Sequence, residues 1–144
     1  MDKTDLRIVD MLAANGKRSI KSMAEELGLS TTPIFERVKR LEREGVIQGY
    51  RAQIDRRKLG QNLLAICAIS LQEHRSAFID TFEEEIVAFD EVIECYHVAG
   101  QFDYLLKVRT KDMDAYQHFV ARKLASLNNI AKVQSSFIMT TVKG

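Results

Sequence analysis

The sequence predicts an α+β protein in two parts, with helices alone before residue 49 and both strands and helices after residue 61. Apolar residues in the first part recur at the three- and four-residue intervals of amphipathic helices. In the second part, strand-like apolar runs are separated by two helical stretches. We therefore expect domains at residues 1–48 and 62–144, joined by a linker at residues 49–61.

Composition and charge limit the classes of protein to consider. The 144 residues are 46% hydrophobic and 28% charged with a net charge of +1, which favours folded, globular domains over disorder. Residues 1–60 carry 13 Lys and Arg against 9 Asp and Glu, a net charge of +4, whereas residues 61–144 carry 8 against 11, a net charge of −3. This asymmetry is expected if the first part attracts phosphates.

The sequence contains no stretch typical of membrane insertion or export. The longest nearly apolar run, Leu63 to Leu71, is far shorter than the ~20 residues of a bilayer span. We expect a cytoplasmic protein that does not enter a membrane. Cys67 and Cys95 lie in apolar, strand-like runs, which predicts buried, reduced thiols. We expect neither a metal site nor a cofactor.

The first helix is predicted to begin after Asp2, with Asp5 completing a capping box, and to end at Asn15-Gly16. Its expected inward face is formed by Leu6, Ile8, Val9, Leu12 and Ala13. This helix should complete the core beneath the next two helices.

Residues 19–43 predict two short helices joined by a tight turn. Ser19 is a candidate N-cap for the first, which Gly28 ends in the left-handed conformation that glycine adopts without a steric clash. Ser30 is the candidate cap of the second, and Pro33 falls within its first turn. The inward face of this helix repeats every three or four residues, at Ile34, Val38 and Leu41.

The opposite face of that helix is polar at its start and cationic towards its end, as in a helix that enters the major groove of double-stranded DNA. Base contacts are predicted for Thr31, Thr32, Phe35 and Glu36, and phosphate contacts for Arg18, Lys39, Arg40 and Arg43. The alternative is a helical hairpin whose charged face is only solvated.

After the third helix, Tyr50, Ala52 and Ile54 alternate with polar residues and predict one isolated strand. A lone strand needs a partner, which a second copy of the chain could supply.

The second part predicts the order β-α-β-β-α-β. Its strands are expected at Leu63–Leu71, Val92–Ala99, Phe102–Thr110 and Ile130–Val142. A two-residue turn at Gly100-Gln101 should join the middle strands. Helices are expected at Ser76–Phe89 and from Asp112 to a left-handed end at Asn128-Asn129. This is the ferredoxin-like arrangement, an antiparallel sheet with both helices on one face. The other face should pack against a second subunit.

The chain resembles the Lrp/AsnC family of transcription regulators over essentially its whole length. The resemblance is strongest in LGLSTTPIFERVKRLEREGVIQGY at residues 27–50, ECYHVAGQFDYLLKV at residues 94–108 and QSSFIM at residues 134–139. It implies a helix-turn-helix DNA-binding domain and a homodimer or a higher assembly, such as an octamer of four dimers. It also implies a small-molecule effector, usually an amino acid, bound by the second domain at a contact between dimers.

Carried over to this sequence, the effector site is the turn formed by His97, Val98, Ala99, Gly100, Gln101, Phe102 and Asp103. A glycine turn exposes backbone N–H groups to a carboxylate, and Asp103 can hold an ammonium group. The family commonly has threonine where Ala99 stands, so this chain offers one hydroxyl fewer to an effector. The alternative is that Gly100 serves only the hairpin and that Asp103 only begins a strand.

These features are compatible with three classes of function. The first is a ligand-responsive regulator of transcription, and the second is an architectural DNA-binding protein without an effector. The third, an enzyme, lacks support because the sequence shows no catalytic triad, metal cluster or phosphate-binding loop. We expect that the protein is not an enzyme.

Overall fold

The computed structural model describes residues 1–143. The chain divides into two compact units, the first comprising Met1–Ile54 and the second beginning at Asp55. Each unit has a hydrophobic core of its own.

The first unit is built from three helices: α1 (Lys3–Ala14), α2 (Ile20–Leu27) and α3 (Thr31–Arg43). Each helix contributes to its core, and the buried residues are Ile8, Met11, Met23, Ala24, Ile34, Val38 and Leu41. The predicted capping box is present at the start of α1, where the Asp2 and Asp5 carboxylates each accept the other residue's backbone N–H at 2.9 Å.

The predicted inward face of α1 is wrong in part. Leu6 is 49% exposed and Ala13 is also exposed. The buried face instead runs through Asp5, Ile8 and Met11. These residues recur every third position, and Leu6 is turned about 100° away from Asp5 around the helix. The polar character of Asp5 concealed this face in the sequence.

Helix α2 begins and ends as predicted. Ser19 Oγ accepts the Ser22 N–H at 3.1 Å at the start of α2, and Gly28 ends this helix with φ 65° and ψ 33°. Ser30 occupies the N-cap position of α3 but forms no capping hydrogen bond through its side chain.

The linker differs from the prediction. Tyr50, Ala52 and Ile54 form no strand in the described single chain, which passes into a 3₁₀ turn at Arg56–Leu59. A strand exists only through hydrogen bonds to a neighbour, and one chain by itself provides none at this segment.

The second unit consists of a four-stranded sheet and two helical segments. The strands are β1 (Leu63–Leu71), β2 (Val92–His97), β3 (Tyr104–Thr110) and β4 (Ile130–Phe137), in the antiparallel order β2-β3-β1-β4. Helix α4 spans Ser76–Val87. Helix α5 spans Met113–His118 and continues as a π segment at Phe119–Lys123 and a 3₁₀ turn at Leu124–Ser126.

Both helical segments pack on the same face of the sheet. Phe82 of α4 and Phe119 beyond α5 belong to one buried cluster with Ile69, Leu106 and Val108 of the central strands. The predicted ferredoxin-like arrangement is therefore correct. Because side chains alternate along a strand, residues between these core positions point to the other face, which we call the open face. It carries Leu64, Ile66, Ala68, Tyr96, Leu105 and Lys107.

Two predicted turns are wrong. His97 pairs with Tyr104, so six residues rather than two separate the paired ends of β2 and β3. No residue other than glycine has a positive φ in the described chain, so Asn128 and Asn129 are not left-handed. The side chain of Asn129 instead accepts the Glu73 N–H and donates to the Glu73 carbonyl, both at 2.9 Å. A contact 56 residues away in sequence thus fixes this turn.

The last strand ends at Phe137, earlier than predicted, and Val142 is 95% exposed. Both cysteines are free, with Cys67 buried and Cys95 only half-buried. None of the described helices is long and apolar enough to cross a membrane.

Candidate nucleic-acid interface and ligand site

The outward face of α3 contains the residues predicted to contact bases. Thr31, Thr32, Phe35 and Glu36 are all exposed, and Phe35 remains 46% exposed. They are held outward because Ile34, Val38 and Leu41 of the same helix are buried in the core. The first turn of α3 therefore presents two hydroxyls, one aromatic ring and one carboxylate.

The four residues predicted to contact phosphates differ in their surroundings. Arg18 forms an ion pair with Glu26, Lys39 lies 2.9 Å from Glu42, and Arg40 donates to Asp5 at 2.7 Å. Arg43 is exposed and has no ion pair within the described residues. Of the four, Arg43 is thus the one whose charge is balanced by no nearby acid.

The sequence interpretation missed an ion-pair cluster behind α3. Arg37 donates to Asp2 and Asp5 at 2.7 Å each, and Arg40 donates to the second oxygen of Asp5. Asp5 is 1% exposed. The backbone hydrogen bond from Asp2, together with the two guanidinium groups, lowers the Asp5 pKa to about 2. The sequence did contain one indication of this cluster: Asp5 lies three residues before Ile8, as Ile8 lies three residues before Met11, so Asp5 shares their buried face.

The turn from His97 to Asp103 is closed by a hydrogen bond from the Val98 N–H to the Asp103 carbonyl at 2.9 Å. Gly100 lies at the tip with φ 144°, and no heavy atom of the described residues beyond its two chain neighbours lies within 4 Å of the position that a Cβ would take there. Ala99 and Gln101 are exposed, while Val98 and Phe102 are half-buried. The space on the Cβ side of Gly100 is therefore unoccupied by other described residues.

Asp103 is engaged within the chain. One carboxylate oxygen accepts the Leu71 N–H at 2.7 Å, and the other lies 2.9 Å from His74 Nε2. The Leu71 hydrogen bond is the main reason that the Asp103 pKa is lowered, and the His74 contact adds to it. An ammonium group that bound the Asp103 carboxylate would have to share it with the Leu71 N–H and His74.

His97 points away from the rest of the turn. Its ring stacks on Tyr104 with centroids 4.6 Å apart, and its Nδ1 lies 4.0 Å from Glu83. The Tyr104 hydroxyl donates to Glu83 at 2.6 Å. These side chains line a cavity of about 280 Å³ beside α4, which no other residue of the turn lines.

A larger cavity, of about 550 Å³, was not predicted. It lies between α5 and β4, where Tyr116, Ser135 and Phe137 line it. The Tyr116 hydroxyl donates to Ser135 Oγ at 2.6 Å and lies 2.7 Å from the buried Cys67 Sγ. The position of this cavity depends on the register of β4 against β1, which cannot be predicted from local sequence.

The described residues contain no cluster of acidic, histidine or cysteine side chains suited to a metal ion. Cys67 Sγ lies 2.7 Å from the Tyr116 hydroxyl, and burial raises the Cys95 pKa.

Comparison with known proteins identifies both parts of the chain. Residues 1–48 match the family model for a winged helix-turn-helix DNA-binding domain, and residues 64–144 match that for the Lrp/AsnC ligand binding domain. The chain is 37% identical over 142 residues to the Bkd operon transcriptional regulator of Pseudomonas aeruginosa, covering 99% of this chain and 93% of the relative. It is 39% identical over 143 residues to the leucine-responsive regulatory protein of Haemophilus influenzae, covering 99% and 86%.

Among solved structures, the fold matches a transcriptional regulator of Neisseria meningitidis crystallised with L-Met, with a TM-score of 0.95 and 30% identity over 100% of this chain and 93% of that one. These relatives are named as regulators of transcription, in agreement with the expectation that the protein is not an enzyme. With a helix-turn-helix unit followed by the family's ligand-binding domain, the chain belongs to the Lrp/AsnC family of transcription regulators.

Proposed function

We propose that the protein regulates transcription by binding double-stranded DNA at specific sequences through α3. The observation that carries this proposal is the exposure of Thr31, Thr32, Phe35 and Glu36 on a helix whose opposite side is fixed in the core. Phe35 can contact a thymine methyl group, and Glu36 can accept from a cytosine amino group.

The phosphate contacts would be shared unequally. Arg43 has no acid partner within the described residues and can bind a phosphate without giving up an existing ion pair. Arg18, Lys39 and Arg40 each have an acid partner, which a phosphate would have to replace or share. Arg43 is therefore expected to contribute most among the four.

Two substitutions test the two kinds of contact. A preferred duplex would first be selected from random-sequence DNA. Glu36→Ala should change which base is preferred at one position, because it removes a base contact worth ~1–3 kcal/mol of discrimination. Arg43→Ala should weaken binding to all sequences and reduce the salt dependence by about one phosphate contact.

Both variants are measured against wild type in binding titrations at several salt concentrations. Lys21→Ala, which removes an exposed cation on α2 with no ion pair in the described chain, is the matched control for loss of charge. Unchanged affinity and base preference in both variants would show that α3 does not read DNA.

We further propose that the second unit binds a small molecule, an amino acid, at the turn from His97 to Asp103, between subunits of a homodimer or larger assembly. The open space at Gly100 supports this, since a glycine backbone without neighbouring atoms on its Cβ side lets a ligand approach closely. The Neisseria meningitidis relative was crystallised with L-Met.

A thermal-shift screen of the twenty amino acids tests the effector. A ligand that binds only the folded state must raise the melting temperature, by an amount that grows with its concentration. Gly100→Val should abolish the shift, because it forces a branched side chain into the open tip at a φ that such residues avoid. Gly16→Ala, at a position with ordinary van der Waals space, is the control and should retain the shift.

The second candidate is an architectural DNA-binding protein without an effector. It is favoured by Ala99, which brings no hydroxyl to the turn, and by the two hydrogen bonds already made by Asp103. The same screen separates the two candidates: a protein that binds DNA specifically but whose melting temperature no amino acid changes would be the architectural one.

A further inference from the structure

The positive charge of the N-terminal part is concentrated outside the helix-turn-helix unit. Residues 1–48 contain nine Lys or Arg and eight Asp or Glu, a net charge of +1. Residues 49–61 contain four Lys or Arg and a single acid, a net charge of +3. The helix-turn-helix unit is therefore almost neutral, and most of the net positive charge that would attract DNA lies in the linker.

Three of these four cations lie in a short, ordered turn, Arg56, Arg57 and Lys58, which we call the basic turn. The Asp55 carboxylate caps its start by accepting the Arg57 N–H at 3.1 Å. Gly60, with φ 77°, closes its end and donates to the Arg57 carbonyl at 2.9 Å. All three side chains thus project from a backbone that is fixed at both ends, so less ordering entropy is lost on binding than from a free tail.

No side chain of the basic turn forms an ion pair with any described residue, and all three are exposed. In the helix-turn-helix unit, by contrast, Arg18, Arg37, Lys39 and Arg40 are paired with acids, whereas Lys21 and Arg43 have no such partner among the described residues. The only carboxylate within residues 49–61, that of Asp55, accepts the Arg57 backbone N–H through one oxygen. Unpaired cations are the groups that release counterions when they meet phosphates.

We propose that the basic turn binds backbone phosphates of the same DNA molecule that α3 reads, and supplies much of the electrostatic, sequence-independent part of the affinity. This inference rests on the proposed function. Twelve residues separate Arg43 from Arg56, so the connecting chain reaches at most ~40 Å even when extended. Duplex DNA carries a charge every ~1.7 Å along its axis, so bound DNA places many phosphates within that distance.

Tethering favours DNA over an acidic protein as the partner. Once α3 is bound, contact of the basic turn with the same duplex is intramolecular and occurs at a high effective concentration. Contact with an acidic surface of another protein has no such advantage.

The test measures binding of full-length protein to a selected duplex and to its scrambled counterpart between about 0.05 and about 0.5 M salt, the range in which counterion release dominates affinity. The test variant carries Arg56→Ala, Arg57→Ala and Lys58→Ala. The control variant carries Arg122→Ala, Lys132→Ala and Lys143→Ala, which remove the same charge from three exposed cations elsewhere. A third variant, Arg56→Lys with Arg57→Lys, retains the charge of the turn.

In the test variant, the slope of log affinity against log salt should become shallower by ~0.9 for each phosphate that the turn no longer binds, up to ~2.7 for all three side chains. At 0.1 M salt, the absence of each such phosphate interaction weakens binding about eightfold on both duplexes. The ratio of affinities for selected and scrambled DNA should remain unchanged. The control and the lysine variant should keep the wild-type slope.

A wild-type slope in the test variant, or an equal change in the control, would overturn the proposal. A changed sedimentation coefficient with an unchanged slope would also overturn it, and would assign the basic turn to a contact between subunits. Failure of the proposed function gives a different result: wild-type protein would then bind both duplexes equally, whatever the slope of the test variant.

Discussion

At the scale of the single residue, Asp5 decides how α3 is held. Its buried carboxylate receives the Asp2 backbone N–H, Arg37 and Arg40, and so connects the start of α1 with the middle of α3. Helical periodicity predicted that Arg40 lies on the polar face of α3. It could not reveal the partner of Arg40, because Asp5 lies 35 residues away and periodicity relates only residues of the same helix. Arg37 was missed for the same reason.

Replacement of Asp5 by Asn should destabilise the first unit by on the order of 2–3 kcal/mol at pH 7, because Arg37 and Arg40 lose the charge that they face. The Asp5 pKa is lowered from 3.8 to about 2, so its stabilising effect is present above pH 4 and is lost as the pH falls through about 2. The difference between variant and wild type should shrink over that range. Urea denaturation followed by helical circular dichroism, at pH 7 and at pH 2, measures it.

Asp10→Asn is the matched control, since Asp10 is exposed on the same helix and has no ion pair in the described chain. Equal stability of the Asp5 variant and wild type at pH 7 would contradict the structural role of the buried carboxylate.

At the scale of the element, the order of helices and strands and the caps set by local sequence were predicted, whereas two turns that depend on distant contacts were not. The caps at Asp2, Ser19 and Asp112 and the left-handed Gly28 depend on residues within one turn of helix. The strand predicted from Tyr50, Ala52 and Ile54 is absent from the described single chain, which supplies no neighbour for it. The length of the β2–β3 turn follows from hydrogen bonds that extend to Ile69 on β1.

The candidate sites follow the same division. The exposed face of α3 could be predicted, because it is the complement of a regular buried stripe. The engagement of Asp103 with Leu71 and His74 could not, because it joins β3 to the end of β1 across about thirty residues. The charge imbalance was visible in the composition, but it was described for residues 1–60 as a whole, and its concentration in the linker was not noted.

At the scale of the whole molecule, the open face of the sheet is the feature that one chain leaves incomplete. Ile66 and Leu105 lie there beside Tyr96, which is 53% exposed. The Tyr96 hydroxyl and Lys107 both donate to Glu94, at 2.6 and 3.1 Å, and form a polar margin around the apolar centre. An apolar centre with a polar rim is typical of a surface that packs against another subunit.

If the open face forms the subunit contact of the homo-oligomer proposed above, Ile66→Asp should yield monomers, since a charge at the centre of that contact would be buried without a partner. Sedimentation velocity measures the result, and circular dichroism checks that the fold is retained. Ala125→Asp, an equal change at an exposed position on the helical side, should leave the assembly intact. An Ile66→Asp variant that still sediments with wild type would place the subunit contact elsewhere.

The central strand β1 is hydrogen-bonded on both sides, to β3 and to β4, and Asp103 fastens its far end at Leu71. A slip of one residue would turn Ile69 and Cys67 out of the core, so the strand cannot change register. The strand is about 30 Å long, with one end at the turn proposed for the ligand and the other just after the basic turn. Any ligand that displaces Asp103 from Leu71 would thus act at one end of β1, and the other end of this strand adjoins the linker.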